Sequence, residues 1–185
     1  MKKSIFFILT MFLAVLLAAC SSVEQEEQHS NTNHEGMEEM EHMNHSSSGE
    51  LPKGLKEAEK PTFKVGSKAI MNTDHMEGMN GAEATIAGAF DTTVYAISYT
   101  SITGGERVEN HKWIIHEEIQ DASVEPYQAG EKVIVEADHM EGMEGAEAII
   151  ESAEQTTVYM VDYTSTDGEQ VKNHKWVTES ELYAK

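Results

Sequence analysis

The chain repeats itself, and this limits its fold more than any other feature of the sequence. The hexapeptide D-H-M-E-G-M at Asp74 to Met79 returns at Asp138 to Met143, and G-A-E-A at Gly81 to Ala84 returns at Gly145 to Ala148. T-T-V-Y at Thr92 to Tyr95 recurs at Thr156 to Tyr159 and Y-T-S at Tyr99 to Ser101 recurs at Tyr163 to Ser165, all displaced by 64 residues. One residue is lost in the turn Thr103 to Glu109, after which N-H-K-W at Asn110 to Trp113 returns at Asn173 to Trp176, displaced by 63. Repetition at a fixed period means one supersecondary unit used twice, and a unit of about sixty residues is near the lower limit for a domain with its own core. Two repeats are expected, at 62–120 and 127–185, meeting around the connector Glu117 to Tyr127.

Within each unit the apolar spacing is that of strands. Ala69 to Met71 and Val133 to Val135 are short apolar runs, opened by Gly66 and Gly130. Val94 to Thr100 and Val158 to Thr164 are rich in β-branched and aromatic residues, with Tyr95, Ile97 and Tyr99 alternating at period two. A turn at Gly104 and Gly105, answered by Asp167 and Gly168, leads to a last strand through Trp113 to Ile115 or Trp176 to Val177. The expected fold class is all-β, with two tandem small SH3-like β-barrel repeats. Trp113 and Trp176 are expected to fill the cores, His111 and His174 to be hydrogen-bonded structural residues, and His116, matched by Glu179, to lie at the surface.

The segment before the repeats is different chemistry. Lys2 and Lys3 precede an apolar run from Ile5 to Ala19, too short for a dependable membrane span, and the chain's one cysteine follows at Cys20. Leu17, Ala18, Ala19 and Cys20 look like a bacterial lipobox. Residues 1–19 are therefore expected to be a lipoprotein signal peptide, and Cys20 to be lipidated and held at the outer face of the cytoplasmic membrane. Residues 20–61 are expected to form a disordered tether. Ser21 to Glu50 carries eight glutamates, no Lys or Arg and no aromatic residue, so it cannot bury enough surface to offset ordering.

That tether is nevertheless rich in soft ligands. His29, His34, Met37, Met40, His42, Met43 and His45 put seven imidazoles or thioethers into 17 positions. The repeated loops carry the same pair of chemistries: His75, Met76 and Met79, then His139, Met140 and Met143, with Gly78 and Gly142 letting the backbone fold back. Imidazole with thioether suits copper, Cu(I) first and Cu(II) second, and suits calcium, magnesium or zinc poorly. Asp74 and Asp138 are placed to add an oxygen ligand or to orient an imidazole. The competing reading of the loop methionines is flexible core filling.

Other functions are disfavoured. With 33 acidic against 13 basic residues, a formal charge of −20, the chain repels nucleic acid, and cations are its natural partners. It contains no H-E-x-x-H, G-x-S-x-G, phosphate loop or G-x-G-x-x-G, so no enzyme is expected.

Together the lipobox, the His/Met-rich acidic segment and the doubled D-H-M-E-G-M, G-A-E-A, T-T-V-Y and N-H-K-W motifs resemble the YdhK/CopL-type lipoproteins of Gram-positive bacteria, from about Phe63 to Leu182. The resemblance implies copper sequestration outside the cell and does not say which ligands are used. The expectation is an anchored extracellular copper-binding lipoprotein serving copper resistance, with a copper exporter as a candidate partner. The alternative is a module that binds cell wall or a surface protein through an aromatic groove lined by Tyr95, Tyr99, Tyr159 and Tyr163.

Overall fold

The computed structural model describes residues 46–185. The cysteine, the signal segment and the His/Met cluster from His29 to His45 lie outside the described residues. Eight strands make up one sheet: β1 (Lys56–Glu57), β2 (Lys68–Met71), β3 (Glu83–Thr100), β4 (Arg107–Ile115), β5 (Lys132–Ile134), β6 (Glu147–Thr164), β7 (Gln170–Thr178) and β8 (Leu182–Ala184). Short 3₁₀ turns follow β4 at His116–Glu118 and β7 at Glu179–Glu181.

The centre is a single antiparallel pair. β3 and β6 are each 18 residues long and pair from Ala84↔Tyr163 to Tyr99↔Ala148. The midpoint is Thr92↔Thr156, two threonines that occupy the same place in the repeat. On either side Asp91 pairs with Thr157 and Thr93 with Gln155, so the register is that of a local two-fold axis relating the repeats. The segment from Ala82 to Thr93 has no turn dipeptide and no proline, and the strand read from Val94 onward extends back to Glu83 without a break. Gly88 sits where a Cβ would lie 2.7 Å from the Phe90 ring, so only glycine fits beside it.

Antiparallel pairing about that axis decides the packing. The amino-terminal half of the first repeat lies beside the carboxy-terminal half of the second, and each apolar cluster draws on both. One joins Phe63, Met71, Met79 and Ile86 to Tyr159, Val161, Tyr163 and Leu182. Its counterpart joins Tyr95, Ile97, Tyr99 and Ile119 to Val133, Val135, Met143 and Ile150. A third lies across the axis, where Phe90, Val94 and Val158 meet Trp113 and Trp176. Both tryptophans are buried, as their bulk requires.

The two closed barrels expected from the strand pattern are replaced by an open ladder. It runs β5-β6-β3-β2-β8, with β1 and β4 also on β3 and β7 on β6. The reason is the length of β3 and β6: each is long enough to serve both lobes. The repeats meet along this whole pair, and the connector beyond Glu117 adds an isolated bridge, Ile119↔Val135. Residues 46–61, read from composition as the end of the tether, are held against the sheet. Ser47 N–H donates to Lys172 O at 2.9 Å, the Ser47 hydroxyl donates to Asn173 O at 2.7 Å, and β1 pairs with Asp91 and Phe90.

The buried tyrosines tie these lobes to their 3₁₀ turns. Tyr159 donates its hydroxyl to Glu179 at 3.0 Å, and Tyr95 is bonded to His116 Nδ1 at 2.8 Å. His116 is half-buried, with Nε2 2.8 Å from Ser123 O, and so is bonded at both nitrogens where a surface residue was expected. Burial first, then the Glu179 hydrogen bond and charge, push the Tyr159 hydroxyl up to about 12. A phenol raised in the folded state stabilises the fold fully below its ordinary value near 10, and that contribution is lost as pH rises towards about 12. Denaturant unfolding followed from pH 9 to 12 will show this loss. Tyr159→Phe should remove its share of that loss and leave the share of Tyr163, which burial also pushes up to about 12.

Candidate metal centre

Each D-H-M-E-G-M loop is shaped by glycine. Gly78 and Gly142 have φ of +72° and +71°, a region that costs little only for glycine. Their carbonyls accept hydrogen bonds from the hairpin turn of the opposite repeat: Thr166 N–H donates to Gly78 O at 2.9 Å, and Ile102 N–H donates to Gly142 O at 3.0 Å. A Cβ at Gly78 would lie 2.9 Å from Ser165 Cβ. The loops are thus locked onto the turn after β6 and the turn after β3.

The loop histidines are held from the other repeat too. His139 Nε2 lies 2.9 Å from Glu118 Oε1, while Glu118 Oε2 accepts the Trp176 indole N–H at 3.0 Å and the Ile115 N–H at 3.1 Å. In the other lobe His75 Nε2 lies 2.6 Å from Glu181 Oε1. Glu181 also accepts from Trp113 Nε1 at 3.1 Å, the Thr73 hydroxyl at 3.1 Å, and the Thr178 N–H and hydroxyl at 2.9 Å each. The four groups of the two ion pairs keep only 5–13% of their side-chain surface. Burial by itself would raise the Glu181 carboxyl, but the His75 hydrogen bond and charge and the Thr178 donors outweigh it and bring the value down to about 2.

This arrangement selects a tautomer. Indole and backbone N–H groups can only donate, so each glutamate acts as an acceptor, and the facing imidazole nitrogen, Nε2, carries hydrogen. In the neutral ring Nδ1 is then the acceptor nitrogen, and in the charged ring it carries a second hydrogen. In both His75 and His139, Nδ1 is buried and has no hydrogen-bond partner. A carboxylate on one ring nitrogen with the other left open is how metal-binding histidines are oriented.

The structure places the other sequence-predicted residues unevenly. Met79 and Met143 are fully buried, one in each lobe's apolar cluster, while Met76 and Met140 are partly buried against the same clusters. Met140 Sδ receives the Tyr99 hydroxyl at 3.7 Å. Asp74 and Asp138 are exposed, and the carboxylates that orient the imidazoles are Glu118 and Glu181. Sequence reasoning missed both. The available signal was an acidic residue at the same place in each repeat, five residues beyond Trp113 and Trp176. Among the described residues no three His, Cys, Asp or Glu side chains gather as a metal site. The four tyrosines of the expected aromatic groove are at most 5% exposed. They are core residues and line no groove.

A pseudo-symmetric, tandem-repeat all-β protein with a carboxylate-held histidine in each lobe is the class these observations define. The family model described as a protein of unknown function (DUF1541) matches twice, at residues 65–116 and 129–179, and the chain belongs to that family. It is 55% identical over 179 residues to the "Uncharacterized protein YdhK" of Bacillus subtilis (strain 168), covering 96% of this chain and 87% of the relative. A crystal structure of ydhK from Bacillus subtilis subsp. subtilis str. 168 is similar at a TM-score of 0.76 and 62% identity, covering 78% of this chain and 99% of that one. A solution structure of the ydhK C-terminal domain from B. subtilis matches at 0.64 and 65% identity, covering 66% and 94%.

Removing the Glu118 carboxylate should leave three buried donors without an acceptor, each costing about 1–3 kcal/mol. Glu118→Ala is expected to lose about 3 kcal/mol or more in urea unfolding. The exposed Glu136→Ala is expected to stay within about 0.5 kcal/mol of the parent. Equal losses would show that the carboxylate does not carry the lobe.

Proposed function

We propose that the chain is a lipid-anchored extracellular copper-binding protein that sequesters or buffers copper, Cu(I) first. The observation that carries this reading is the open Nδ1 of His75 and His139, buried and fixed by a carboxylate on the opposite ring nitrogen. Native proteins rarely leave a buried polar atom unpaired, and a ligand-binding role is one of the few reasons to do so. The donor beside each histidine in sequence is a thioether, Met76 or Met140, with Met79 and Met143 behind them in the core. Imidazole with thioether favours a soft, monovalent copper ion over hard divalent ions. The lipobox ending at Cys20 supports placement at the outer face of the membrane, and the soft-ligand cluster His34, Met37, Met40, His42, Met43 and His45 supports additional copper binding near the anchor.

The role is binding and release, with no bond made or broken in a substrate. An acidic chain of formal charge −20 raises the local cation concentration without selecting among cations, so selectivity rests on the soft ligands. Titration of the chain carrying both repeats and the His/Met segment with Cu(I), Cu(II) and Zn(II) is the test. More than one tightly held Cu(I) with weak zinc is expected. The paired change His75→Gln with His139→Gln should lower the Cu(I) stoichiometry and leave the β-sheet circular dichroism unchanged. A parent chain that holds no copper against a competing chelator would overturn the reading.

A further inference from the structure

β3 has a neighbour that β6 lacks. Midway along its outer edge β3 takes up β1: Lys56 pairs with Asp91, Glu57 pairs with Phe90, and Ala58 N–H donates to Ala89 O at 2.9 Å. Ala89 and Asp91 therefore turn their N–H and C=O groups away from β6 and towards β1. On β6 the same stretch, displaced by 64 residues, is Glu151 to Gln155. β5 and the turn before it take β6 only as far as Ile150, and β7 begins opposite Thr164 and ends opposite Val158. Among the described residues no strand but β3 lies along the stretch between, and all five residues from Glu151 to Gln155 are exposed. By the equivalence of the repeats, Ala153 and Gln155 face outward with their N–H and C=O groups.

The open edge has a cause in the connector. Counted from the end of the first repeat, Gln120 and Asp121 match Tyr183 and Ala184 of β8; counted from the start of the second, they match Lys56 and Glu57 of β1. One segment cannot lie at both edges. It takes the first: Gln120 N–H donates to Ile134 O at 2.9 Å, beside the Ile119↔Val135 bridge, and Asp121 turns the chain away with φ of +49°. Ala122, the counterpart of Ala58, is exposed, and Ser123 is held by His116. An open strand edge of this kind is a template for pairing with another chain.

The differences between the repeats say what fits there. Ala87, Gly88 and Phe90 on β3 become Glu151, Ser152 and Glu154 on β6. The β3·β6 register passes over Ala87 and Glu151 alike, so both strands carry the same bulge, and on β3 it coexists with a docked strand. Two carboxylates in five exposed residues, on a chain of formal charge −20, repel a second copy and attract a cationic strand. On β1 the residue opposite Phe90 is Glu57; at β6 its counterpart faces Glu154, which repels a glutamate and pairs with a lysine or arginine.

We propose that the β6 edge at Glu151–Gln155 receives an added antiparallel strand from another polypeptide, an extended segment with Lys or Arg opposite Glu154. The register is that of β1 on β3, with the partner's next residue donating its N–H to Ala153 O. Main-chain bonds give the affinity and the charge opposite Glu154 gives the selectivity. This surface is independent of the copper reading.

The test uses the full chain in detergent micelles and, as probe, a synthetic peptide of residues Lys53–Glu59 carrying Glu57→Lys. It keeps the arm's register and reverses its charge at the deciding position. Proton–nitrogen spectra should show the Ala153 and Gln155 amides of the protein shifting, with their hydrogen exchange slowed about tenfold at saturation. The unmodified peptide should bind about 3–10-fold more weakly. Methylating the backbone nitrogen of the probe's Ala58 should abolish the protection, and Glu154→Lys in the protein should reverse the preference between the two peptides. Equal binding of the methylated probe, or no protection at Ala153 and Gln155 with any peptide, would overturn strand addition. Protection there without peptide that disappears on dilution would place a second copy on the edge and overturn the basic partner.

Discussion

Everything in this molecule depends on two 18-residue strands lying antiparallel about the Thr92↔Thr156 pair. In that register the start of each repeat lies against the end of the other. No lobe is complete within one repeat, and the apolar clusters, the loop contacts and the carboxylate clamps all cross between repeats. A shift by one residue would turn the buried faces of both strands outward. The axis also brings Trp113 and Trp176 together in the central cluster and sends each indole N–H to the 3₁₀ turn of the other repeat.

The buried carboxylates follow from this crossing. An unpaired buried charge is expensive, whereas one that accepts several N–H bonds is held in place and becomes part of the fold. Glu118 and Glu181 each accept from an indole, a loop imidazole and the backbone amide that ends the strand before their own 3₁₀ turn. One side chain thereby fastens the turn after a strand, the far repeat's tryptophan and the far repeat's loop. The imidazole gives its Nε2–H to this clamp, so the orientation of its remaining nitrogen comes from the same contacts that hold the lobe together.

The duplication, the all-β class, the strand cores at Ala69 to Met71 and Val94 to Thr100, and the burial of both tryptophans are legible in the residues themselves. Each rests on local patterning, and local patterning survives folding. The exchange of halves between repeats is not legible. A tandem repeat in which each unit closes on itself and one in which the units trade halves have the same residues in the same order. Only the absence of a turn between Ala82 and Val94 hinted at a strand long enough for the second arrangement. The loop histidines were readable as site candidates because His beside Met in a glycine loop is an unusual choice. Their clamps were not, because Glu118 and Glu181 sit in an acidic chain where one more glutamate carries no signal, and they lie about 21 and 106 residues from their imidazoles.

The arrangement also gives a physical reason for joining the repeats in one chain. A lone repeat would leave half of an 18-residue strand without a neighbour, an open edge that pairs with whatever strand it meets. Two copies meeting in the register seen here would form a symmetric dimer, and its assembly would depend on concentration. Joining them makes the pairing intramolecular and frees the halves to differ. They have differed at one telling place. Tyr95 meets an imidazole, His116, where Tyr159 meets a carboxylate, Glu179, and burial with that facing negative charge drives the Tyr159 hydroxyl up to about 12.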